Sequence, residues 1–291
     1  MVLILACLGQ GLRSEGAQDP ARDVPSSRVY TYKRSGGMAQ EIEVFSPNNF
    51  APAAPKAPGL LLFHGGGWRS GNRAKLRMVC LYFARRGMVA ATADYRMLSK
   101  EAEAGLPAGE SFKRVCVTDA KSAIRWMKQH ARELGMDARR LVVGGGSAGG
   151  HMAVLATINP GIDDPADPAG FDTSVAAYLL FNPAFAAKDD DREVMVLPHL
   201  KPGFAPAIVF FGTEDRWLAG WTPVHRRLKE LGSTTVELWT AKGGTHGFYL
   251  TPPWCDLTLA AADRFFAHHG ILADAPIAAP PADGIKLELS P

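Results

Sequence analysis

Leu141-Val142-Val143-Gly144-Gly145-Gly146-Ser147-Ala148-Gly149-Gly150-His151-Met152-Ala153-Val154-Leu155 decides how this chain is read. An apolar, β-branched run leads into a glycine cluster that holds one serine, and a helix-forming apolar run follows at once. That pattern predicts a strand, a very tight turn and a helix, with Ser147 at the turn. A turn that sharp puts its central residue in a strained conformation and brings the residues two before and two after it into near contact. Gly145 and Gly149 relieve that contact. The serine hydroxyl is thereby lifted clear of the sheet, beside the positive end of the following helix, where a developing oxyanion is favoured. The alternative is a glycine-rich connection that merely contains a serine, and the flanking strand and helix argue against it.

Working outward, a second glycine cluster follows another continuous apolar run, Gly59-Leu60-Leu61-Leu62-Phe63, which reads as a strand buried on both faces. The cluster is His64-Gly65-Gly66-Gly67-Trp68. Successive residues without side chains expose successive backbone N–H groups, which converge on an anion when the loop lies beside a nucleophile. Gly66 and Gly67 with Ala148 are the expected oxyanion hole. His64 follows its strand directly and reads as a residue that holds the loop by hydrogen bonds. Met88 to Ala93 is the next buried strand, with Asp94-Tyr95-Arg96 at its carboxyl end. Sites in open α/β sheets gather at such ends, so Trp68 and Tyr95 are candidate pocket residues, with loop packing the other reading of Tyr95.

A serine hydroxyl needs a base, and the base needs an orienting acid. Ala207-Ile208-Val209-Phe210-Phe211 predicts a strand that is followed by Gly212-Thr213-Glu214-Asp215. Thr235 to Thr240 predicts another, followed by Gly243-Gly244-Thr245-His246-Gly247-Phe248. His246 in its short glycine loop is the expected base and Asp215 the expected acid, with Glu214 as the rival. Each residue alone is a weak signal, since an Asp after a strand often caps the next helix. Together they give the order Ser147, Asp215, His246, each after its own strand.

The remaining chain frames these loops. Arg28 to Lys33 and Ile42 to Ser46 predict an antiparallel hairpin around Gly36-Gly37. Leu76, Val79, Cys80 and Phe83 share one face of a helix over Arg73 to Arg86. Val117, Ala120, Ile124, Met127, Ala131 and Leu134 predict a long amphipathic helix closed by Gly135, and Lys100 to Glu110 a surface loop. Val175 to Phe181 predicts a strand, and Val224 to Leu231 and Leu257 to His268 predict helices. Asn159 to Thr173 carries several acids and prolines without calcium-loop spacing. It reads as a solvated loop near the mouth of the site rather than a metal site. Strands alternating with helices give an α/β fold with a mostly parallel central sheet flanked by helices, without internal repeats.

Composition narrows the function classes. The 291 residues are 47% hydrophobic, enough for one substantial core. Lys and Arg number 32 against 29 Asp and Glu, and no basic block occurs, so a nucleic-acid partner is not expected. The apolar start, Met1 to Leu8, is too short to span a bilayer and reads as the core of an export signal, whose charged start is missing; Ile4-Leu5-Ala6-Cys7 also approaches a lipoprotein cleavage box. Export to the periplasm or the exterior is therefore expected. Residues 1–27 are assigned to this signal-like or flexible segment, residues 28–272 to one catalytic domain, and residues 273–291 to a loose Pro/Ala-rich tail. The four cysteines are too widely spaced for a zinc cluster. Cys80 and Cys255 fall on helices expected to cover the same sheet face, so a bridge between them competes with free thiols.

Taken together, His64-Gly-Gly-Gly67, Asp94-Tyr95-Arg96, Gly145-Gly-Ser147-Ala-Gly149-Gly150-His151, Gly212-Thr-Glu-Asp215 and Gly244-Thr-His246-Gly-Phe248 resemble the hormone-sensitive-lipase-like esterases. They resemble still more the small secreted bacterial acetyl esterases, acetylxylan esterases and bifunctional feruloyl/acetyl esterases. The likeness spans roughly residues 28 to 270. It implies an α/β-hydrolase fold, no metal or organic cofactor, and ester cleavage through an acyl-serine on a small-molecule or carbohydrate ester. The large helical N-terminal cap of many such enzymes is not expected, because no long amphipathic helix precedes Tyr30. An open site of that kind suits short acyl chains on bulky alcohols. Two other classes share the motifs: a serine peptidase of the prolyl-oligopeptidase kind, for whose accessory domain the chain is short, and a non-catalytic ligand-binding protein on the same scaffold.

Overall fold

The computed structural model describes residues 25–35, 37–47, 56–186, 188–273 and 284–290, so the signal-like stretch and Cys7 lie outside the described residues. The apolar runs form the middle of a sheet. Its strands are β1 (Ser27–Ser35), β2 (Met38–Phe45), β3 (Ala57–Phe63), β4 (Val89–Ala93), β5 (Met136–Gly146), β6 (Ala177–Phe181), β7 (Ala207–Gly212), β8 (Val236–Ala241) and β9 (Leu287–Ser290). They lie in the order β1-β2-β4-β3-β5-β6-β7-β8-β9. From β4 across to β8 every pairing is parallel, whereas β1 with β2, β2 with β4 and β8 with β9 are antiparallel.

Alternation along the central strands divides the core in two. Leu61 and Phe63 of β3 face one hydrophobic cluster, while Leu60 and Leu62 face the other. All four are fully buried, and burying a side chain of this size contributes about 1.5–3 kcal/mol. The first face is covered by α3 (Phe112–Gln129), α4 (Ala148–Ile158) and α5 (Leu218–Glu230), the second by α1 (Arg77–Arg85) and α6 (Trp254–His268). Buried ion pairs tie the layers. Asp119 of α3, wholly buried, accepts from Arg96 after β4 and lies 3.0 Å from Lys33 of β1. On the other face Asp263 of α6 accepts from Arg86 at 2.8 Å and from the Tyr82 hydroxyl at 2.6 Å.

Several expectations are corrected. The helix expected from Arg73 begins as a 3-10 turn, Arg73–Leu76, because Asn72 caps Ala74 N–H at 3.0 Å and starts the coil one turn early. Ser99 likewise caps a short helix, α2 (Lys100–Ala104), inside the stretch read as loop. The long helix ends at Gln129, and the chain then turns through residues 130–135 before β5. Ala131 and Leu134 are buried from that turn rather than from the helix. The tail returns to the sheet: Leu287–Ser290 forms edge strand β9 on β8. Cys80 and Cys255 form no bridge. The Cys80 thiol is buried among the apolar residues under α1, whereas the Cys255 thiol, in the first turn of α6, donates to Asp256 Oδ1.

The acidic loop is largely exposed, as expected, but it does not line the site, and its acids are paired. Asp163 and Asp167 bind Arg125, Asp164 binds Lys33, and Asp172 binds Lys128, which clamps the loop to α3 and β1. No cluster able to hold a metal occurs among the described residues, and no helix there is long and apolar enough to cross a membrane.

Candidate active site

The strand order reverses between β3 and β5, and both glycine loops leave the sheet at that point, as sites in open α/β sheets require. Ser147, between β5 and α4, has φ 52° and ψ −119°, a region costly for a side-chain-bearing residue. The surrounding backbone holds it there. Ser147 N–H donates to Phe181 O at 2.9 Å, and its carbonyl accepts from Ala184 N–H at 3.0 Å and His151 N–H at 3.1 Å. The flanking glycines are obligatory: a Cβ on Gly149 would stand 1.9 Å from Phe63 O, and one on Gly145 would stand 2.1 Å from the same atom.

His246 Nε2 lies 2.9 Å from Ser147 Oγ, and Nδ1 lies 2.8 Å from Asp215 Oδ2. A carboxylate oxygen accepts only, so Nδ1–H donates to Asp215 and the Nε2 lone pair faces the serine hydroxyl. Asp215 is buried, and its Oδ1 accepts from Trp217 N–H at 2.9 Å, so the carboxylate is held from both sides. Glu214 is exposed, and among the described residues it makes no contact with His246.

These groups form the floor of a cavity of about 350 Å³ lined by Gly65, Gly66, Gly67, Ser147 and His246. Gly66 has φ 147°, and a Cβ there would overlap Ser70 O, so the loop folds back on itself only with glycine. Ala148, the first residue of α4, is buried directly behind the serine. The rest of the lining includes Trp68, Ala184, Arg216 and Trp217, with the Trp68 and Trp217 rings edge to face, centroids 6.4 Å apart, and Lys75, Gly247, Tyr249 and Leu250.

Two buried histidines support the loops. His64 Nδ1–H donates to Gly65 O at 3.0 Å, its ring stacks on Tyr95 at 4.4 Å, and burial holds it below the usual imidazole pKa. His151 Nε2–H donates to Val194 O at 2.7 Å, and its Nδ1 accepts the Trp68 indole N–H at 3.2 Å. Burial depresses His151 to about 4.

The BD-FAE family model matches residues 43–187. Thermogutta terrifontis esterase 2, in a structure phosphoramylated by tabun, superposes with a TM-score of 0.77 at 32% identity, over 88% of this chain and 99% of that one. The chain belongs to the α/β-hydrolase esterases. Its likeness extends to the butyrate-bound form of the same Thermogutta enzyme, at TM-score 0.77 and 31% identity over 87% of this chain and 97% of that one. Among curated proteins it is 30% identical to the carboxylesterase NlhH of Mycobacterium tuberculosis over 64% of this chain and 61% of that protein. It is 31% identical to the probable carboxylic ester hydrolase LipM of the same organism over 50% of this chain and 32% of that one. The chain thus spans about a third to three-fifths of the length of the curated relatives it matches.

In this α/β-hydrolase esterase the structure brings Ser147, His246, Gly66, Gly67 and Trp68 to one cavity, with Asp215 bonded to His246 beneath it and Ala148 buried next to Ser147 in the chain. Tyr95 is not part of the lining. It is 1% exposed, and its hydroxyl donates to His64 O at 3.0 Å, so it braces the glycine loop from behind. Asp94 and Arg96 are likewise committed to Arg73 and Asp119. Asn182, unremarked in the sequence, closes the cavity beside the base. It has φ 37° and is wholly buried, and its Nδ2 lies 3.0 Å from His246 Nδ1. A signal was present, since Asn182-Pro183 directly follows a buried strand and Asn tolerates the left-handed region. Arg216 and Trp217, one and two residues past the acid, carried no such signal.

Proposed function

We propose that this protein is a serine carboxylesterase acting on short-chain, acetyl-type esters, with acylated carbohydrate as its natural substrate class, through an acyl-serine intermediate. The observation that carries the proposal is the continuous relay from Asp215 through His246 to Ser147 at the floor of a small cavity. Ser147 Oγ attacks the ester carbonyl while His246 Nε2 takes its proton. Asp215 holds the ring in the Nδ1–H tautomer and stabilises the imidazolium. The N–H groups of Gly66, Gly67 and Ala148, at the positive end of α4, receive the oxyanion; each such donor is typically worth about 10²- to 10³-fold in rate. His246 then protonates the departing alcohol, and water, activated by the same ring, releases the acid and restores Ser147.

A cavity of about 350 Å³ suits a short acyl group with part of an alcohol, and solved forms of the Thermogutta relative hold propionate and butyrate. Trp68 and Trp217, edge to face in the lining, give the cavity an aromatic side against which the alcohol part of the ester can pack. Export, suggested by the apolar start of the chain, belongs to the same proposal, because an acylated polymer is met outside the cell. The test is hydrolysis of acetyl, butyryl and octanoyl 4-nitrophenyl esters by wild type and Ser147→Ala. Turnover that falls steeply with chain length and vanishes in the variant is expected. Wild-type protein no faster than Ser147→Ala on all three esters would overturn the reading.

A further inference from the structure

The cavity lining holds two cations without a carboxylate partner, whereas the charged groups flanking them along the chain and on α3 are paired. Arg73 pairs with Glu41 and Asp94, Arg77 pairs with Glu43, Arg69 pairs with Glu103, Lys113 pairs with Asp189, and Arg114 pairs with Asp191. Lys75 stands in the 3-10 turn between Arg73 and Arg77, and Arg216 directly follows Asp215. Both line the cavity, and neither makes a salt bridge among the described residues. Arg216 instead lies over the Trp217 ring, 5.3 Å from its centroid, within cation–π reach. No Asp or Glu lines the cavity; Asp215 is sealed beneath His246. The mouth therefore carries two uncompensated positive charges above a reaction centre that its own floor already satisfies.

We infer that this cavity selects esters carrying a carboxylate on the substrate, met by Arg216 beside Trp217, by Lys75, or by both. The inference rests on the esterase reading above and adds to it the charge of the substrate. A carboxylate drawn to either cation is steered toward the floor on approach and is held beside the scissile ester once bound. The planar guanidinium of Arg216 can offer a carboxylate a two-point contact that a lysine ammonium cannot. The carboxylate can belong to the acyl part or to the alcohol part, and the two are separable by experiment.

The experiment compares matched pairs of alike shape. On the acyl side they are monoethyl succinate and ethyl 4-methylpentanoate; on the alcohol side, acetoxyacetate and isobutyl acetate. The readout is the ratio of kcat/KM for the charged to the neutral member, with Ser147→Ala as the background. In at least one pair a ratio of about ten at low ionic strength is expected, shrinking toward one as salt is raised to about 0.5 M. Arg216→Gln or Lys75→Gln should lower that ratio roughly threefold to fivefold, the range of an exposed ion pair, and Arg216→Lys should keep most of it. Both side chains are exposed, so the variants fold. Neutral esters cleaved in a Ser147-dependent way with ratios at or below one in both pairs would overturn the inference and leave the esterase reading standing. Absence of Ser147-dependent cleavage of all four esters would instead remove the reading beneath it.

Discussion

The floor and the walls of the cavity are held by different means. The floor is built by main chain: Ser147 is pinned through its own N–H and carbonyl, and β5 and α4 approach Phe63 O so closely that only glycine fits at Gly145 and Gly149. The walls are built by side chains from four separate loops, Trp68, Lys75, Arg216 with Trp217, and Tyr249 with Leu250. Only some of these are locked. Trp68 is anchored to His151 and Tyr249 stacks on Phe181, whereas Lys75, Arg216 and Leu250 are exposed. Chemistry thus rests on parts that tolerate no extra atom, and substrate choice on parts that can be exchanged at little structural cost.

That contrast can be broken most severely at the relay. Asp215→Asn should lower kcat for ester cleavage about 10⁴-fold, because the amide favours the wrong His246 tautomer, with little loss of thermal stability; steady-state kinetics beside a melting curve would show both. Next comes the floor's backbone. Gly149→Ala, whose methyl would overlap Phe63 O, should cost at least about 3 kcal/mol or abolish folding, as read by denaturant unfolding. A stable, active Gly149→Ala protein would mean that the elbow is looser than the structure shows.

The smallest expected effect sharpens the comparison at Trp68, a wall residue tied to α4 through His151. His151→Ala leaves the Trp68 indole N–H and Val194 O without partners, at a cost of about 1–3 kcal/mol at neutral pH. Wild type should lose stability on acidification through this group. The folded value of about 4 lies below the unfolded value of about 6.5, so its contribution is complete above pH 6.5 and declines as pH falls toward 4. A protonated His151 would also set an Nδ1–H against the indole N–H. The stability difference between wild type and His151→Ala should therefore narrow between about pH 6.5 and 4, and a constant difference would remove His151 from that role.

The same division explains what was legible in the sequence. Gly145-x-Ser147-x-Gly149 and the triglycine loop could be read because steric exclusion leaves glycine as a visible mark, and strand ends located Asp215 and His246. Tyr95 was misplaced because position at a strand end does not say which way a side chain turns; here it turns inward to His64 O. The acidic loop misled for a related reason: its charges are neutralised by Lys33, Arg125 and Lys128, distant in sequence. Asn182, Arg216 and Trp217 reach the cavity by tertiary placement that no local pattern records. Strand β9 was hidden because pairing at a sheet edge asks little of its side chains.

The central claim is that Ser147 is the nucleophile, activated by His246. It is tested most directly by treating the protein with an organophosphate ester such as paraoxon and reading intact mass and peptide map. The account predicts a single phosphoryl adduct on the peptide holding Ser147, formed rapidly in wild type, slowly in His246→Ala and not at all in Ser147→Ala. An adduct on another residue, or equal labelling of wild type and Ser147→Ala, would contradict it.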